Sequence, residues 1–267
     1  MEEKLLQMKS LVKRLNQASD SYYNGKGELM TDYEWDALFD QLKRLEEETG
    51  EILPDSPTNR VSEDSIVGKK EEHEFAALSL AKTKQVSDLV KWAEDRPIWI
   101  SWKLDGLTLV VTYDGGILTK IVTRGNGHIG TNITHLAPAI SGIPATISEK
   151  GHLVVRGEAV ISYTDFEQFI IESEGDYANP RNLASGSLAL KDIEEVKQRH
   201  IQWIPFTLVY TERELTSWGE RMQMLKDLGM NPVERERIDH PTTENIQLEI
   251  DKFTEKVTSK KNPFPVD

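Results

Sequence analysis

The chain has 267 residues, no cysteine, and a formal charge of -13 from 32 basic and 45 acidic side chains. That length can bury the core of one large domain or two modest ones. The missing thiols exclude disulfides, thiolate zinc sites and cysteine nucleophiles, and the acidic balance excludes a surface that grips phosphate backbones by bulk charge, so any nucleic-acid contact must be local.

The opening MEEKLLQMKS has no signal-peptide core and no apolar run reaches membrane-spanning length, which gives a cytoplasmic expectation. Leu5, Met8, Leu11, Val12 and Leu15 recur at helical spacing with Lys4, Lys13 and Arg14 on the other face. After a break at Asn24 to Gly27, Thr31-Asp32-Tyr33-Glu34 reads as a capping box opening a second helix that buries Trp35, Leu38, Phe39, Leu42 and Leu45. Glu46, Glu47 and Glu48 read as its solvated end rather than a metal site. Pro54, Pro57 and the polar stretch to Lys70 read as a linker, making residues 1–70 a small helical subdomain and 71–267 a second domain.

From there the pattern turns to strands. Ile98 to Lys103 leads into the turn signal Leu104-Asp105-Gly106, and Thr108–Tyr113 and Ile117–Thr123 flank Asp114-Gly115-Gly116 as a hairpin. Leu153–Val160 reads as a strand, Tyr163–Ser173 as a helix, residues 176–182 as a loop and Ile201–Tyr210 as a last strand. Trp218, Met222 and Leu225, and then Ile246, Ile250 and Phe253, mark two helices before a proline-broken tail. The fold class is therefore α+β, helices first and a mainly antiparallel sheet after.

Four segments carry chemistry. Lys103, at the end of an apolar strand, is placed to be held rigidly and partly desolvated, with Arg124 as a nearby cation, which is how an amine becomes a nucleophile. On Lys103-Leu104-Asp105-Gly106 alone, a surface lysine before a common turn is the favoured alternative. Thr123-Arg124-Gly125-Asn126-Gly127-His128-Ile129-Gly130 offers backbone amides and a guanidinium to phosphate or ribose oxygens, or is simply a tight turn. Arg156-Gly157-Glu158 puts charges inside a strand, with an ordinary exposed face as the alternative, and Asn179-Pro180-Arg181-Asn182 adds a donor-rich loop.

In this order the motifs closely resemble the adenylation half of bacterial NAD-dependent DNA ligases. The resemblance takes in Tyr22-Tyr23, Thr31 to Leu38, Pro54-Asp55-Ser56-Pro57-Thr58, Leu78-Ser79-Leu80, the four segments above and Gly186-Ser187-Leu188. It implies that Lys103 attacks the α-phosphorus of NAD to form lysyl-AMP and expel nicotinamide mononucleotide, with Mg²⁺ offsetting phosphate charge. In a complete enzyme AMP then passes to the 5′-phosphate of a nick in double-stranded DNA, in replication and repair.

The same resemblance assigns Asp105 to positioning the lysine and nucleotide, Ser79 and Leu80 to the adenosine, and Arg124 and Glu158 to the ribose and its surroundings. Arg181 is assigned to a phosphate of nucleotide or nick. The mononucleotide half falls to Tyr22, Tyr23, Asp32, Tyr33, Glu34, Trp35 and Asp36, where two carboxylates and a ring share one helix face. A core tryptophan beside a helix-dipole acid is the alternative there.

The chain departs from the family where Ser101 replaces a base-contacting Glu, where Asn126, Thr131 and Asn132 replace carboxylates, where Ala189 replaces an arginine and where Trp35 replaces a tyrosine. Asn262 to Asp267 resembles the approach to a further motif, so the sequence reads as stopping before the family's last lysines, with a second ligase polypeptide as one possible source of the remainder. Two other functions stay open: a degenerate nucleotide-binding or scaffold subunit, and a nucleotidyltransferase with an RNA acceptor.

Overall fold

The apolar spacing at the N-terminus forms α1 (Glu2–Tyr23) in the computed structural model, which describes residues 2–23, 29–30, 32–53, 55–58, 68–78, 81–173 and 177–267. Its Met8, Leu11, Val12 and Leu15 are buried against Leu42 and Leu45 of α2 (Asp32–Thr49), with Trp35, Leu38, Phe39 and Leu53 around them. Each aliphatic side chain so buried stabilises by about 1.5–3 kcal/mol. Lys4, near the start of α1, meets Glu48, near the end of α2, at 2.9 Å, so the helices run antiparallel. Thr31 and the Asn24–Gly27 break lie outside the described residues.

Glu46 is not part of a solvated end. It is buried and accepts hydrogen bonds from Ser56 at 2.5 Å and Thr58 at 2.7 Å. A buried carboxylate needs such donors, and here they fasten the 55–58 stretch to α2.

The second part is built on a four-stranded antiparallel sheet. Hairpin strands β3 (Leu107–Asp114) and β4 (Ile117–Thr123) form as expected, and β6 (Leu153–Val160) and β7 (Gln202–Thr211) complete the order β4-β3-β6-β7. Two short antiparallel ladders flank it. One pairs β1 (Lys70–Glu72) with β5 (Ile129–Thr131), and the other pairs β2 (Ile98–Ser101) with β8 (Arg235–Ile238).

Strand alternation divides the side chains between two faces. Leu109, Val111, Tyr113, Val155, Ala159, Trp203 and Leu208 lie in the main core. That core takes in Leu136 of a 3₁₀ turn (Thr134–Ala139), Leu183, Ala184 and Leu188 of α5 (Pro180–Leu188), Val196 of α6 (Ile193–Lys197) and Met222 and Leu225 of α7 (Trp218–Asp227). α4 (Tyr163–Ser173) adds Phe166 and Phe169 at its margin. Val110 and Val154 on the opposite face pack with Phe75 and Ala77. α3 (Val86–Ala93) and α8 (Thr243–Thr258) cover β2 and β8 through Ala93, Ile98, Ile238 and Ile246.

The 176–182 loop needs correcting. Residues from Pro180 onward are helical: Asn179 caps α5 by accepting from the Asn182 amide at 2.8 Å, and Pro180 takes the first turn, where no amide is needed. Burial of Leu183, Ala184, Ser187 and Leu188 on one side holds this helix despite Gly186.

Candidate active site

Strand β2 delivers Ser101 and then Lys103 to the edge of the fold. Residues 103–105 pair with the chain's last segment: the Asp105 amide donates to the Pro265 carbonyl and the Asp267 amide to the Lys103 carbonyl, both at 2.9 Å. Between them Leu104 turns into an apolar cluster with Val160, Ile204 and Val233, so alternation sends Lys103 and Asp105 the other way. The ammonium group of Lys103 is ion-paired with Asp267 and its side chain is 74 % exposed. The expected desolvated amine is thus absent. Pairing with a distant segment, which no local pattern reveals, puts Lys103 at the surface beside a carboxylate.

Asp105 is bound to Arg181, from the first turn of α5, at 2.6 Å. Glu158 lies next to them. It is buried, not on an exposed face, and its side chain accepts from the Thr108 hydroxyl at 2.9 Å across the β3–β6 ladder. Burial pushes its carboxyl up to about 7, against the Thr108 hydrogen bond and the charges of Arg181 and Lys103. Lys103, Asp105, Glu158 and Arg181 therefore form one electrostatically coupled cluster. Thr108 was not picked out from sequence, although its register opposite Glu158 follows once β6 is laid beside β3.

Because the folded-state value of Glu158 exceeds the ordinary 4.5, the folded chain holds an extra proton up to about 7. Stability from this group is full below pH 4.5 and falls as pH rises through that window. Glu158→Gln is expected to remove the dependence and to gain on the order of 2 kcal/mol relative to the parent at pH 8. Denaturation midpoints at pH 5 and pH 8 check this, and an equal difference between the two proteins at both values contradicts it.

The Arg124 turn is tighter than a phosphate cradle. Gly125 and Gly127 take φ of +54° and +86°, and the Asn126 side chain accepts from the amides of His128 at 2.9 Å and Ile129 at 2.7 Å. The amides of Asn126 and Gly127 bond to Ile129 and Arg124 carbonyls within the same turn. These amides close the turn rather than face a ligand, which leaves the guanidinium as its functional group. Arg124 donates through Nε to the Ala77 carbonyl at 3.0 Å, while Arg156 donates to the carbonyls of Phe75 and Ala76 at 3.1 and 2.7 Å. The two arginines are near enough that Arg124 disfavours charge on Arg156, after burial the larger cause.

The segment they hold runs into Ser79 and Leu80, which lie outside the described residues. Ser101 sits in register with Arg235 of β8, whose guanidinium is 5.9 Å from the Trp99 ring centre. Trp35 stacks on Phe39 at 4.9 Å and donates its indole N–H to the Leu15 carbonyl and Ser19 hydroxyl of α1, so this ring helps join the two helices. Glu34 is exposed, and the side chains of Tyr22, Tyr23, Asp32, Tyr33 and Asp36 lie outside what is described. A shallow hollow of about 360 Å³ beside Ser141, Asp165 and His200 shares no residue with the Lys103 cluster.

Residues 69–267 match the model of the NAD-dependent DNA ligase adenylation domain, and residues 1–62 match that of the DNA ligase-like N-terminal NAD⁺-binding domain. The chain belongs to the NAD-dependent DNA ligase family. A DNA ligase of Lachnoclostridium phytofermentans is 38% identical over 273 residues, spanning 100% of this chain and 41% of the relative. The DNA ligase of Leptospira biflexa is 34% identical over 97% of this chain and 39% of its own length. The chain thus spans about two fifths of the curated ligases it matches. A solved mycobacterial DNA ligase D complexed with ATP and MES overlaps 52% of this chain and 40% of its own at 16% identity and a TM-score of 0.31.

In this member of the family, the departures at Asn126 and Asn132 have structural uses. Asn126 closes the turn, and Asn132 donates to Glu71 at 2.9 Å while its carbonyl oxygen accepts from the amide and hydroxyl of Thr134.

Proposed function

We propose that this chain is the self-adenylating module of an NAD-dependent DNA ligase. The observation that carries the reading is the convergence of Lys103, Asp105, Glu158 and Arg181 at the mouth of the antiparallel sheet, beside a segment tied down by Arg124 and Arg156. Six charged side chains from four segments of the chain suit a ligand that carries phosphates at one end and a ribose further along.

In this reading Lys103 leaves Asp267, loses a proton and attacks the α-phosphorus of NAD. A P–N bond forms, the P–O bond to nicotinamide mononucleotide breaks, and the mononucleotide departs with the electron pair. Arg181, released from Asp105 or shared with it, offsets charge on the phosphate, and Asp105 steadies the amine. Arg124 and Glu158 hold the ribose side, with Ser79, Leu80 and Ser101 toward the base. Residues 1–70 act as the mononucleotide-binding subdomain through Tyr22, Tyr23, Asp32, Tyr33, Glu34, Trp35 and Asp36, and residues 71–267 as the nucleotidyltransferase domain.

Among the described residues no group of three histidine or carboxylate side chains is arranged to hold a metal by itself. Mg²⁺ accordingly fits as an ion bound chiefly by the phosphates and water, which is its usual habit. Transfer of AMP to nicked DNA, and a role in replication and repair within the cytoplasm, belong to the whole ligase, whether its remainder is joined to this chain or supplied by a second polypeptide. No helix among the described residues is long and apolar enough to cross a membrane.

The test is release of nicotinamide mononucleotide. Mixing the chain with NAD and Mg²⁺ is expected to release one equivalent, and ATP is expected to yield no pyrophosphate. Pyrophosphate from ATP with no mononucleotide from NAD would overturn the cofactor assignment, and binding of NAD with no release would favour the nucleotide-binding subunit.

A further inference from the structure

His152 lies outside every motif discussed so far, yet its ring bridges two carboxylates from different parts of the fold. Nδ1 is 2.6 Å from Asp114 at the end of β3, and Nε2 is 2.8 Å from Glu74 in the stretch before Ser79. Ionised carboxylates only accept hydrogen bonds, and a neutral imidazole has one N–H to give. Only the imidazolium satisfies both partners, so the geometry itself couples the proton on His152 to the position of Glu74.

We propose that His152 is a positioning residue: as a cation it clasps Glu74 to Asp114, locking residues 73–78 across the sheet and with them the carbonyls that hold Arg124 and Arg156. The consequence for nucleotide binding rests on the adenylation reading above; the clasp itself does not.

The segment so held is tied along its length. The His73 amide donates to the His128 carbonyl and the Ala77 amide to the Gly127 carbonyl, each at 2.7 Å. Phe75 stacks at 5.3 Å on Tyr210 of β7, which in turn lies 5.5 Å from the His152 ring. Arg124 and Arg156 grip the carbonyls of residues 75–77. Losing the Glu74 bond therefore loosens the strip whose carbonyls Arg124 and Arg156 hold.

The charged and titratable surroundings of His152 favour its cation. Asp114 and, behind it, Lys120 come from the hairpin, and Glu74 comes from the clasped segment. β7 supplies Tyr210 and, just beyond its end, Glu212, whose carboxylate accepts from the His152 backbone amide at 3.4 Å. Next to it in sequence are Lys150 and Glu149, the latter bound to Arg213 at 2.5 Å. The Asp114 bond, and after it Glu74, hold the imidazole above its ordinary 6.5 despite some burial.

His73 on the same strip shifts the opposite way. Burial, together with Arg156 and His128, lowers it below 6.5, while bonds to backbone at Arg124 and Thr123 oppose that. The clasp is therefore made below the raised His152 value and lost as pH rises through it. Acid far enough below 6.5 to protonate His73 would add a cation next to two arginines and work against the strip from the other side.

Two readouts on the full chain test this. The dissociation constant for NAD is expected to rise about tenfold as the pH passes upward through the His152 value, the order of effect of one lost hydrogen bond to a charged group. His152→Gln and Glu74→Gln should bind at the weaker level at every pH, and His152→Arg, which stays charged and can donate to both carboxylates, should restore tight binding and keep it at high pH. Hydrogen exchange at the Ala77 and His73 amides should follow the same pattern without any nucleotide. Wild-type exchange and pH dependence in His152→Gln would overturn the clasp. If NAD fails to bind at all while exchange follows the pattern, the clasp stands and the adenylation reading fails.

Discussion

Lys103→Ala is expected to reduce formation of the AMP adduct by at least about a thousandfold while leaving NAD bound. In the proposed reaction the lysine supplies the reacting nitrogen, which neither carboxylate, Asp105 or Glu158, can replace. The groups assigned to binding stand on other elements: Arg181 on α5, Glu158 on β6 and Arg124 beyond β4. Since Lys103 is exposed and contributes its ion pair with Asp267 near the surface, its truncation should leave the fold intact. Binding measured by calorimetry and adduct measured by mass distinguish the two effects. Adduct formation at the parent rate in Lys103→Ala removes this lysine from the chemistry.

Gly157→Ala should produce a large loss of stability from a single added methyl. A Cβ there would stand 2.4 Å from Cε2 and 2.5 Å from Nε1 of Trp203, and 2.8 Å from the Ile204 carbonyl oxygen. Trp203 is 1% exposed and fills the main core, so its ring has no adjacent space to enter. Overpacking of this kind costs about 1–3 kcal/mol and more when backbone lies in the way, so a loss near 3 kcal/mol is expected. The same displacement would disturb Arg156 and Glu158 on either side, coupling the stability loss to weaker nucleotide binding. An unchanged urea midpoint would show that Trp203 can move aside.

The glycine in Arg156-Gly157-Glu158 illustrates what a sequence discloses. Its neighbours stand out as charges in a strand, but the reason for the glycine lies in Trp203, 46 residues away and visible only when β6 and β7 are paired at Gly157 and Pro205. Periodicity was sufficient wherever one face of an element meets the core, as for Met8 to Leu15, Leu109 to Tyr113 and Leu153 to Val160. It did not disclose β8, where Arg235, Glu236 and Arg237 make an edge strand whose position depends on its partner β2. It also missed α3, whose Val86, Leu89, Val90 and Ala93 do keep helical spacing in a short stretch.

Site residues follow the same division. Lys103, Asp105, Glu158 and Arg181 were legible through motif order, and the structure brings these four together. Their states were not, because exposure of Lys103 depends on the 265–267 segment and burial of Glu158 on the β3–β6 ladder. Trp35 was legible as an aromatic on a helix face, but its commitment to Leu15 and Ser19 arises only when α1 packs antiparallel to α2. His152 carried no local signal at all, since its two partners come from residues 38 and 78 positions away.

The most direct measurement of the central claim is intact mass followed by peptide mapping, after incubating the chain with NAD and Mg²⁺. One AMP per chain, carried on the peptide containing Lys103 and cleaved by acid as a phosphoramidate, is the predicted result. No adduct despite saturating NAD, or an AMP mapped to any other residue, would contradict it.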